Sequence, residues 1–411
     1  MAQELIWENK IPLSNYESFN CVAKTSDGGY LALGTTEKWR ILNPVLGGAI
    51  IMKFDENGDT LWTKFTGYYG GFNKVIKGED GLYYALFGYW EIPTSRVKRG
   101  IYVFNENGQF FNMIPIQTSG SSAFRDMEFK EGYIWLSGEK NPSLFYPGSL
   151  TFDFLLTKLR MEGTEVFSFA YNGSDQTSRG EKMEFMPNGN ILFSGSVGNK
   201  IGAFEIDTAG NQIQYRTYFT NNFNGGWQNA IVKQIPGGNR LAAGGRSTTP
   251  TSYYMGKHDT LGNQIWGGFA LGGLSEPMIF TDGSIIHINN RRDPDYCLIR
   301  KISSDSTVLW SFDFIGAGLI QGRKGIYDVF HETDSSGVCV GSIISNPGGQ
   351  RNLYIAKFAK LGILYNSNAP KVLEKLKTDA QPIPFPNPGT NLIKFTILAS
   401  PGKVSFTDMQ G

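Results

Sequence analysis

Short apolar runs bounded by Gly, Asn or Asp follow one another along most of the chain, with polar positions interleaved at period two and no sustained helical period. The pattern predicts strands joined by tight turns. One turn-and-strand unit recurs seven times, as DGGYLALG (27–34), DGLYYALFG (80–88), EGYIWLSG (131–138), NGNILFSG (188–195), GGNRLAAG (237–244), DGSIIHIN (282–289) and SGVCVG (336–341). Its turn glycines, Gly29, Gly81, Gly132, Gly189, Gly238, Gly283 and Gly337, are spaced by 52, 51, 57, 49, 45 and 54 residues. A second unit alternates with the first: IIMKFDENGDTLW (50–62), IYVFNENGQFF (101–111), LLTKLRMEGTEVF (155–167), GAFEIDTAGNQI (202–213), YMGKHDTLGNQIW (254–266), LIRKISSDSTVLW (298–310) and YIAKFAKLGILY (354–365). Each reads as strand, turn, strand. The turn holds Gly58, Gly108, Gly163, Gly210, Gly262 or Gly362, with Ser306 in the sixth copy, and glycine suits a turn position that needs φ > 0. An aromatic often follows, at Trp62, Phe111, Phe167, Trp266 and Trp310, and is expected to pack outward.

Segments that precede the first unit, such as FNKVIKG (72–78), FRDMEFK (124–130) and IYDVFHE (326–332), bring the count to four short strands per repeat. Seven four-stranded units in tandem predict an all-β, seven-bladed β-propeller over residues 1–366. LIWENKIP (5–12) is similar to the outermost strand of a repeat, LWTKFTG, yet precedes the first one, so it is expected to complete the seventh blade and close the ring.

Composition agrees with a turn-rich β protein: glycine is 51 of 411 residues, and charged residues are 18% where about 25% is usual. Lys and Arg (38) nearly balance Asp and Glu (37), so a global electrostatic attraction to nucleic acid or to an anionic membrane is not expected. No apolar run is long enough for a transmembrane segment, and the start MAQELIWENK shows no signal peptide pattern. Cys21, Cys297 and Cys339 lie far apart in apolar contexts, which predicts buried thiols rather than a disulfide framework or a metal site.

The GG-Y-x-x-x-G and K-x-D-x-x-G-x-x-x-W units resemble the repeats of secreted Bacteroidota-type propellers. They lack the signatures of WD40 repeats, and their double glycine stands before the second strand, unlike that of kelch repeats. After residue 366 a polar, lysine-bearing linker (367–381) leads to PIPFPNPGTNLIKFTILASPGKVSFTDMQG (382–411). This tail resembles the start of a type IX secretion C-terminal sorting domain, on the matching positions Pro386, Asn387, Pro388, Asp408 and Gly411. The resemblance implies a partial β-sandwich, truncated before its later strands, with the type IX secretion machinery as partner. It further implies a place outside the cell or on the outer-membrane surface of a Gram-negative bacterium.

No sequence motif for metal, phosphate, dinucleotide or nucleophilic chemistry occurs, so no cofactor, metal or catalytic residue is assigned. His258, His287 and His331 fall in separate predicted strands and read as structural. The acidic turn Asp55-Glu56-Asn57-Gly58-Asp59 has the oxygen-rich character of a calcium loop, but the same turn recurs as NENG and DTAG without that acid density and reads as a β-turn. A lysine recurs near the end of the third strand at Lys53, Lys158, Lys257, Lys301 and Lys357, and is read as a solvated or inter-blade residue.

Loops on a rigid scaffold usually carry the binding residues. The second-to-third-strand connections and the loops leading into each blade are expected to share one face. That face should collect Trp39, Arg40, Tyr68, Tyr69, Trp90, Arg96, Arg99, Tyr146, Trp227, Arg246, Arg291 and Arg292. Aromatic rings stack on sugars and arginines grip carboxylates or sulfates. The sequence therefore points to a surface binding module for a glycan or protein ligand. The alternatives are a polysaccharide-degrading enzyme, a glycoside hydrolase or lyase, on the same scaffold, or a purely structural module.

Overall fold

The computed structural model describes residues 4–359 apart from 14–16, 37–47, 92–95, 119–120, 142–152, 172–177, 221–226, 247–251, 272, 275, 281, 293–294, 315–323, 334–335 and 345–350. Its strands form seven antiparallel sheets in chain order: 17–65, 69–115, 121–171, 178–220, 227–271, 273–314, and a last one that joins 324–359 to 4–11. The described residues contain no helix. Within each sheet the first strand is innermost and the fourth outermost, and consecutive sheets pack face to face as the blades of a seven-bladed propeller.

Burial follows from this order. Strands in the middle of a blade are covered on both faces by neighbouring blades, so Gly48–Phe54 is buried throughout and reads as a continuous apolar run. The outer strand Thr60–Phe65 is mostly exposed. Seven separate hydrophobic clusters fill the seven inter-blade spaces, from Leu33, Ile51, Phe72 and Phe87 between blades 1 and 2 round to Tyr30, Met52, Val340 and Ile355 between blades 7 and 1. The sixth blade departs from the four-strand pattern. Its innermost strand is broken into two short pieces, Gly273–Leu274 and Met278–Ile279, both paired with Ile285–Arg292.

The ring closes through the N-terminus. Glu4–Ile11 pairs antiparallel with Arg351–Ala359, with Trp7 opposite Lys357. The same strand also holds blade 1. Trp7 Nε1 donates to the Glu56 carbonyl at 3.0 Å, and Asn9 Nδ2 donates to the Gly58 carbonyl at 3.2 Å. Glu8 accepts a hydrogen bond from Tyr354 Oη at 3.1 Å and pairs with Lys10 at 3.0 Å.

Of the repeated aromatics Phe111 is exposed as expected, at 52%, whereas Trp62, Phe167 and Trp266 turn onto the next blade instead of outward. Trp7 lies against the Gly58 turn of the next blade, Trp62 against Gly108 and Phe167 against Gly210. At these three junctions the outer strand clamps the following blade. The turn glycines are required twice over: Gly58 has φ +87°, and a Cβ there would lie 2.5 Å from the Trp7 ring. Ser306, which stands in for glycine in blade 6, also takes a positive φ of 75°. In blade 1 the left-handed residue of the other turn is Gly28, not Gly29, whose Cβ would instead collide with the Phe54 carbonyl at 2.2 Å. Gly58→Ala is expected to destabilise by roughly 2–4 kcal/mol, combining left-handed strain with overpacking, in a urea unfolding titration. A change within about 0.5 kcal/mol, the range of ordinary surface substitutions, would count against the clamp.

The recurring lysine has an inter-blade role. Lys53 Nζ donates to Glu106 of blade 2 at 3.0 Å, Lys158 to the Thr208 carbonyl of blade 4 at 3.3 Å, Lys257 to the Ser304 carbonyl of blade 6 at 3.0 Å, and Lys357 to Tyr30 Oη of blade 1 at 2.8 Å. Lys301 instead covers the Phe280 ring of its own blade at 4.2 Å. In the acidic turn, Asp55 Oδ1 accepts the backbone N–H groups of Asn57 and Asp59 at 2.9 and 2.8 Å, which is β-turn chemistry.

Candidate functional site

The innermost strands carry a repeated irregularity. Their pairing with the second strand slips by one residue between Phe19 and Cys21, Phe72 and Lys74, Phe124 and Asp126, Gly180 and Lys182, and Ile326 and Asp328. A bulge re-aims the side chains beside it. The residues just after the bulge, Lys74, Asp126, Lys182 and Asp328, converge on the axis of the ring, where Glu276 and Lys233 join them.

These groups are matched to one another. Lys182 Nζ lies 3.2 Å from Asp126 and 3.1 Å from Glu276, Lys74 lies 3.3 Å from Asp126, and Lys233 pairs with Glu276. Burial opposes ionisation of Asp126 and Glu276, but the surrounding ammonium groups outweigh it and hold both carboxyls below their ordinary range. The same carboxylates hold Lys74 and Lys182 above theirs, against burial. Asp328 and Glu128 go the other way, because burial pushes each carboxyl up and the lysines only partly offset it. Asp328 Oδ2 also accepts the Val22 N–H at 3.0 Å, and Asp126 Oδ2 the Met183 N–H at 3.2 Å, so these acids join each blade to the next.

A second charged cluster stands at the loop-bearing end of blades 2 to 4. The bulge residues themselves form it: Arg125 Nε lies 3.3 Å from Glu181. Glu139, near the end of a second strand, takes Arg125 at 3.5 Å and Arg179 at 3.3 Å. Arg99 of blade 2 stands near enough to feel the Glu139 charge. Its own burial lowers its affinity for the proton, and the Glu139 charge opposes that effect. The signs therefore invert between two adjacent layers, Arg125 to Glu181 at the mouth and Asp126 to Lys182 on the axis.

Among the residues expected on the ligand face, Arg99 feels the charge of Glu139, and Tyr68 is exposed but leans on Tyr89 and Phe87 with ring centroids 5.4 and 5.8 Å away. Tyr69, Trp90, Arg96, Trp227, Arg246, Arg291 and Arg292 lie in strands rather than loops, because the strand pairing runs on past the expected loop start. Tyr69 stands opposite Trp90, and Trp227 opposite Arg246. Trp39, Arg40, Tyr146 and the sorting positions Pro386, Asn387, Pro388, Asp408 and Gly411 lie outside the described residues. Sequence reasoning missed Arg125, Arg179, Glu139 and the axial ring. The available signal was one inner-strand repeat position, which reads FNK, FRD, GEK and IYD in blades 2, 3, 4 and 7 and so carries Lys, Asp, Lys and Asp.

His258 and His287 do not meet each other. His287 Nδ1 meets Tyr253 Oη and His258 Nε2 meets Tyr254 Oη, both at 3.1 Å within the inter-blade cores. Burial, with a contribution from Arg300, pushes His287 down to about 4, so its imidazole is neutral at physiological pH. Cys21 and Cys339 are buried thiols, and burial pushes the Cys21 thiol well up. Among the described residues no His, Cys, Asp and Glu groups assemble a metal site.

Fold and charged axis together define a seven-bladed β-propeller whose centre is filled by ion pairs. No protein-family description matches the chain, and no curated protein matches it in sequence. Among solved structures it is similar to the polysaccharide lyase Uly1, with a TM-score of 0.52 and 10% identity over 84% of this chain and 90% of that one. It is also similar to a protein of unknown function from Dyadobacter fermentans, with a TM-score of 0.50 and 10% identity over 87% and 99% of the two chains. At this identity the likeness establishes the shared fold alone.

Proposed function

We propose that the protein is a binding propeller that takes a glycan or protein ligand on its loop-bearing face and carries out no chemistry of its own. The observation that supports this reading is the distribution of charge. The ionisable groups that meet on the axis are engaged with one another, Lys182 between Asp126 and Glu276 and Lys74 on Asp126, whereas guanidinium groups stand partly exposed at the mouth. Export by the type IX route to the cell surface belongs to the same proposal and rests on the resemblance of the tail at Pro386, Asn387, Pro388, Asp408 and Gly411. A polysaccharide-degrading activity is the second reading, compatible with the fold shared with Uly1. A glycan array run beside a polysaccharide degradation screen separates the two. Retention of a glycan without product supports the binding reading. Released product overturns it in favour of an enzyme, and failure to retain any glycan or surface protein overturns it in favour of a structural module.

A further inference from the structure

Seven outer strands form the rim of the ring, and among the described residues each is paired on one side only. An open edge offers its backbone to a further strand, and proteins guard such edges with charge or proline. Six of the seven carry a guard of this kind: Lys64 in Thr60–Phe65, Pro115 in Phe110–Pro115, Glu165 in Glu165–Tyr171, Arg216 in Gln212–Thr220, Asp313 in Val308–Phe314 and Lys10 in Glu4–Ile11. The outer strand of blade 5, Gln264–Leu271, reads QIWGGFAL and contains neither charge nor proline. It pairs with Ser252–His258, and its other edge stays bare among the described residues.

Apolar surface collects at the same place. Ile265 and Phe269 are 53% and 54% exposed, and Leu261 of the adjoining turn is 73% exposed. The strand is nevertheless held firmly. Phe269 leans on Phe219 of blade 4 and on Tyr254, with ring centroids 5.3 and 5.6 Å away, and Trp266 Nε1 donates to the Ser304 carbonyl of blade 6 at 3.1 Å. Two glycines stand at the midpoint of this strand. Gly267 has a reason within the chain, since a Cβ there would lie 2.8 Å from Tyr254 Oη. Gly268 has none among the described residues: its φ is not positive, and a Cβ there would meet nothing within 4 Å. Glycine weakens a strand interior, and one of its recurrent uses there is the close approach of another backbone.

We propose that Gln264–Leu271 is a strand-addition interface, which pairs edge to edge and antiparallel with the same strand of a second copy of this chain. A second copy is favoured over a foreign peptide by self-compatibility. A two-fold ladder sets a strand against itself, so an uncharged strand meets no like charge across the axis, whereas Lys64 or Arg216 on another rim strand would be brought toward its own counterpart. The glycine pair lies where the two-fold axis of such a ladder falls. Ile265, Phe269 and Leu261 then lose solvent exposure together, and the unpaired backbone groups of the edge find partners. The interface does not depend on the binding reading above. It lies on the rim, and the loop-bearing end of each copy is left uncovered.

The test is sedimentation equilibrium of the full chain over a concentration series. An interface made by one strand pair is small and stands at the weak end of specific association, so a monomer and dimer in equilibrium at micromolar concentrations are expected. Gly268→Lys and Ile265→Lys each put a charge on the bare edge and are expected to weaken dimerisation about tenfold or more, because like charges then approach across the two-fold. Leu61→Lys, at a side chain equally exposed on the outer strand of blade 1, is expected to leave the dimer intact. Melting curves identify the variants that remain folded. Hydrogen exchange of the unaltered chain gives a readout that needs no variant: amides of 264–271 gain protection as concentration rises, and those of Thr60–Phe65 do not. A monomer at every concentration overturns the second copy as occupant. A dimer that folded Gly268→Lys and Ile265→Lys still form, or that Leu61→Lys weakens equally, overturns the assignment to blade 5. Protection of 264–271 that is already complete in dilute monomer overturns it as well, since the edge is then covered within one chain.

Discussion

Removal of residues 2–12 lowers the thermal unfolding midpoint by on the order of 10 °C and leaves the protein prone to self-association. Blade 7 takes its outermost strand from the N-terminus, and every other strand of that blade comes from 324–359. The deletion therefore removes a full antiparallel pairing from Arg351–Ala359 and turns that strand into an open edge. It also removes the clamp on blade 1, made by the Trp7 ring over Gly58, the Trp7 Nε1 bond to Glu56 and the Asn9 bond to Gly58. Loss of a large partly buried side chain alone costs about 3 kcal/mol. Differential scanning calorimetry with light scattering reads both effects. An unchanged melting curve would show that the ring does not depend on this strand. Trp7→Ala is the milder companion and is expected to fall between wild type and deletion, since it keeps the strand pairing and loses only the clamp.

Lys182→Met destabilises by about 3–5 kcal/mol, the usual cost of removing one partner from a buried ion pair. Lys182 bridges Asp126 at 3.2 Å and Glu276 at 3.1 Å, and these acids belong to blades 3 and 6. Without it Asp126 keeps Lys74 and Glu276 keeps Lys233, but the buried Asp126 and the half-buried Glu276 lose their shared cation. Adding Asp126→Asn to Lys182→Met should recover part of the loss, and a double-mutant cycle in urea measures the coupling. A change within about 0.5 kcal/mol for Lys182→Met would mean that the axial ring contributes nothing to stability. The pH dependence follows from the directions of the shifts. Asp126 and Glu276 are held below the ordinary carboxylate range, so their stabilisation is present above about pH 4 and is lost as pH falls through their lowered values. Asp328 and Glu128 are pushed up, so the folded state holds their protons more tightly and their contribution disappears as pH rises through the raised values. In Lys182→Met the carboxylates lose the main cause of their lowered values, and the acid limb of the stability curve should flatten.

The parts of the molecule legible in sequence are those in which neighbouring residues decide the structure. Ser306 replaces a repeated glycine and still takes a positive φ of 75°, because the turn between a paired third and fourth strand allows few backbone shapes. The apolar run at 48–54 announces a strand covered on both faces, and the outer-strand character of LIWENKIP announces the closure. The positions of Trp62 and Phe167 were misread for a reason that is equally local. Within one repeat nothing covers Trp62, and only the next blade supplies Gly108 beneath it.

The site was less legible. Arg99, Arg125, Arg179 and Glu139 lie within three successive blades but between 14 and 80 residues apart, in segments that look individually like amphipathic strands. Loop composition drew the expectation outward to Trp90, Arg96 and Arg291, whose hairpins are tighter than their prolines and charges imply. Meanwhile the bulges of the inner strands, which cannot be read from a single strand, set Arg125 at the mouth and Asp126 at the axis.

Sequence by itself determined the repeat, the number of blades, the turns that need glycine and the strand that closes the ring, because each of these depends on short-range alternation and on a spacing near 50 residues that recurs along the chain. Tertiary structure alone decided which charges meet. Seven inner strands converge on one axis only when the ring is complete, and there Lys182 reaches both Asp126, 56 residues before it, and Glu276, 94 residues after it. Coulomb attraction in a water-poor centre depends on distance in space, and ring closure, not chain order, sets that distance.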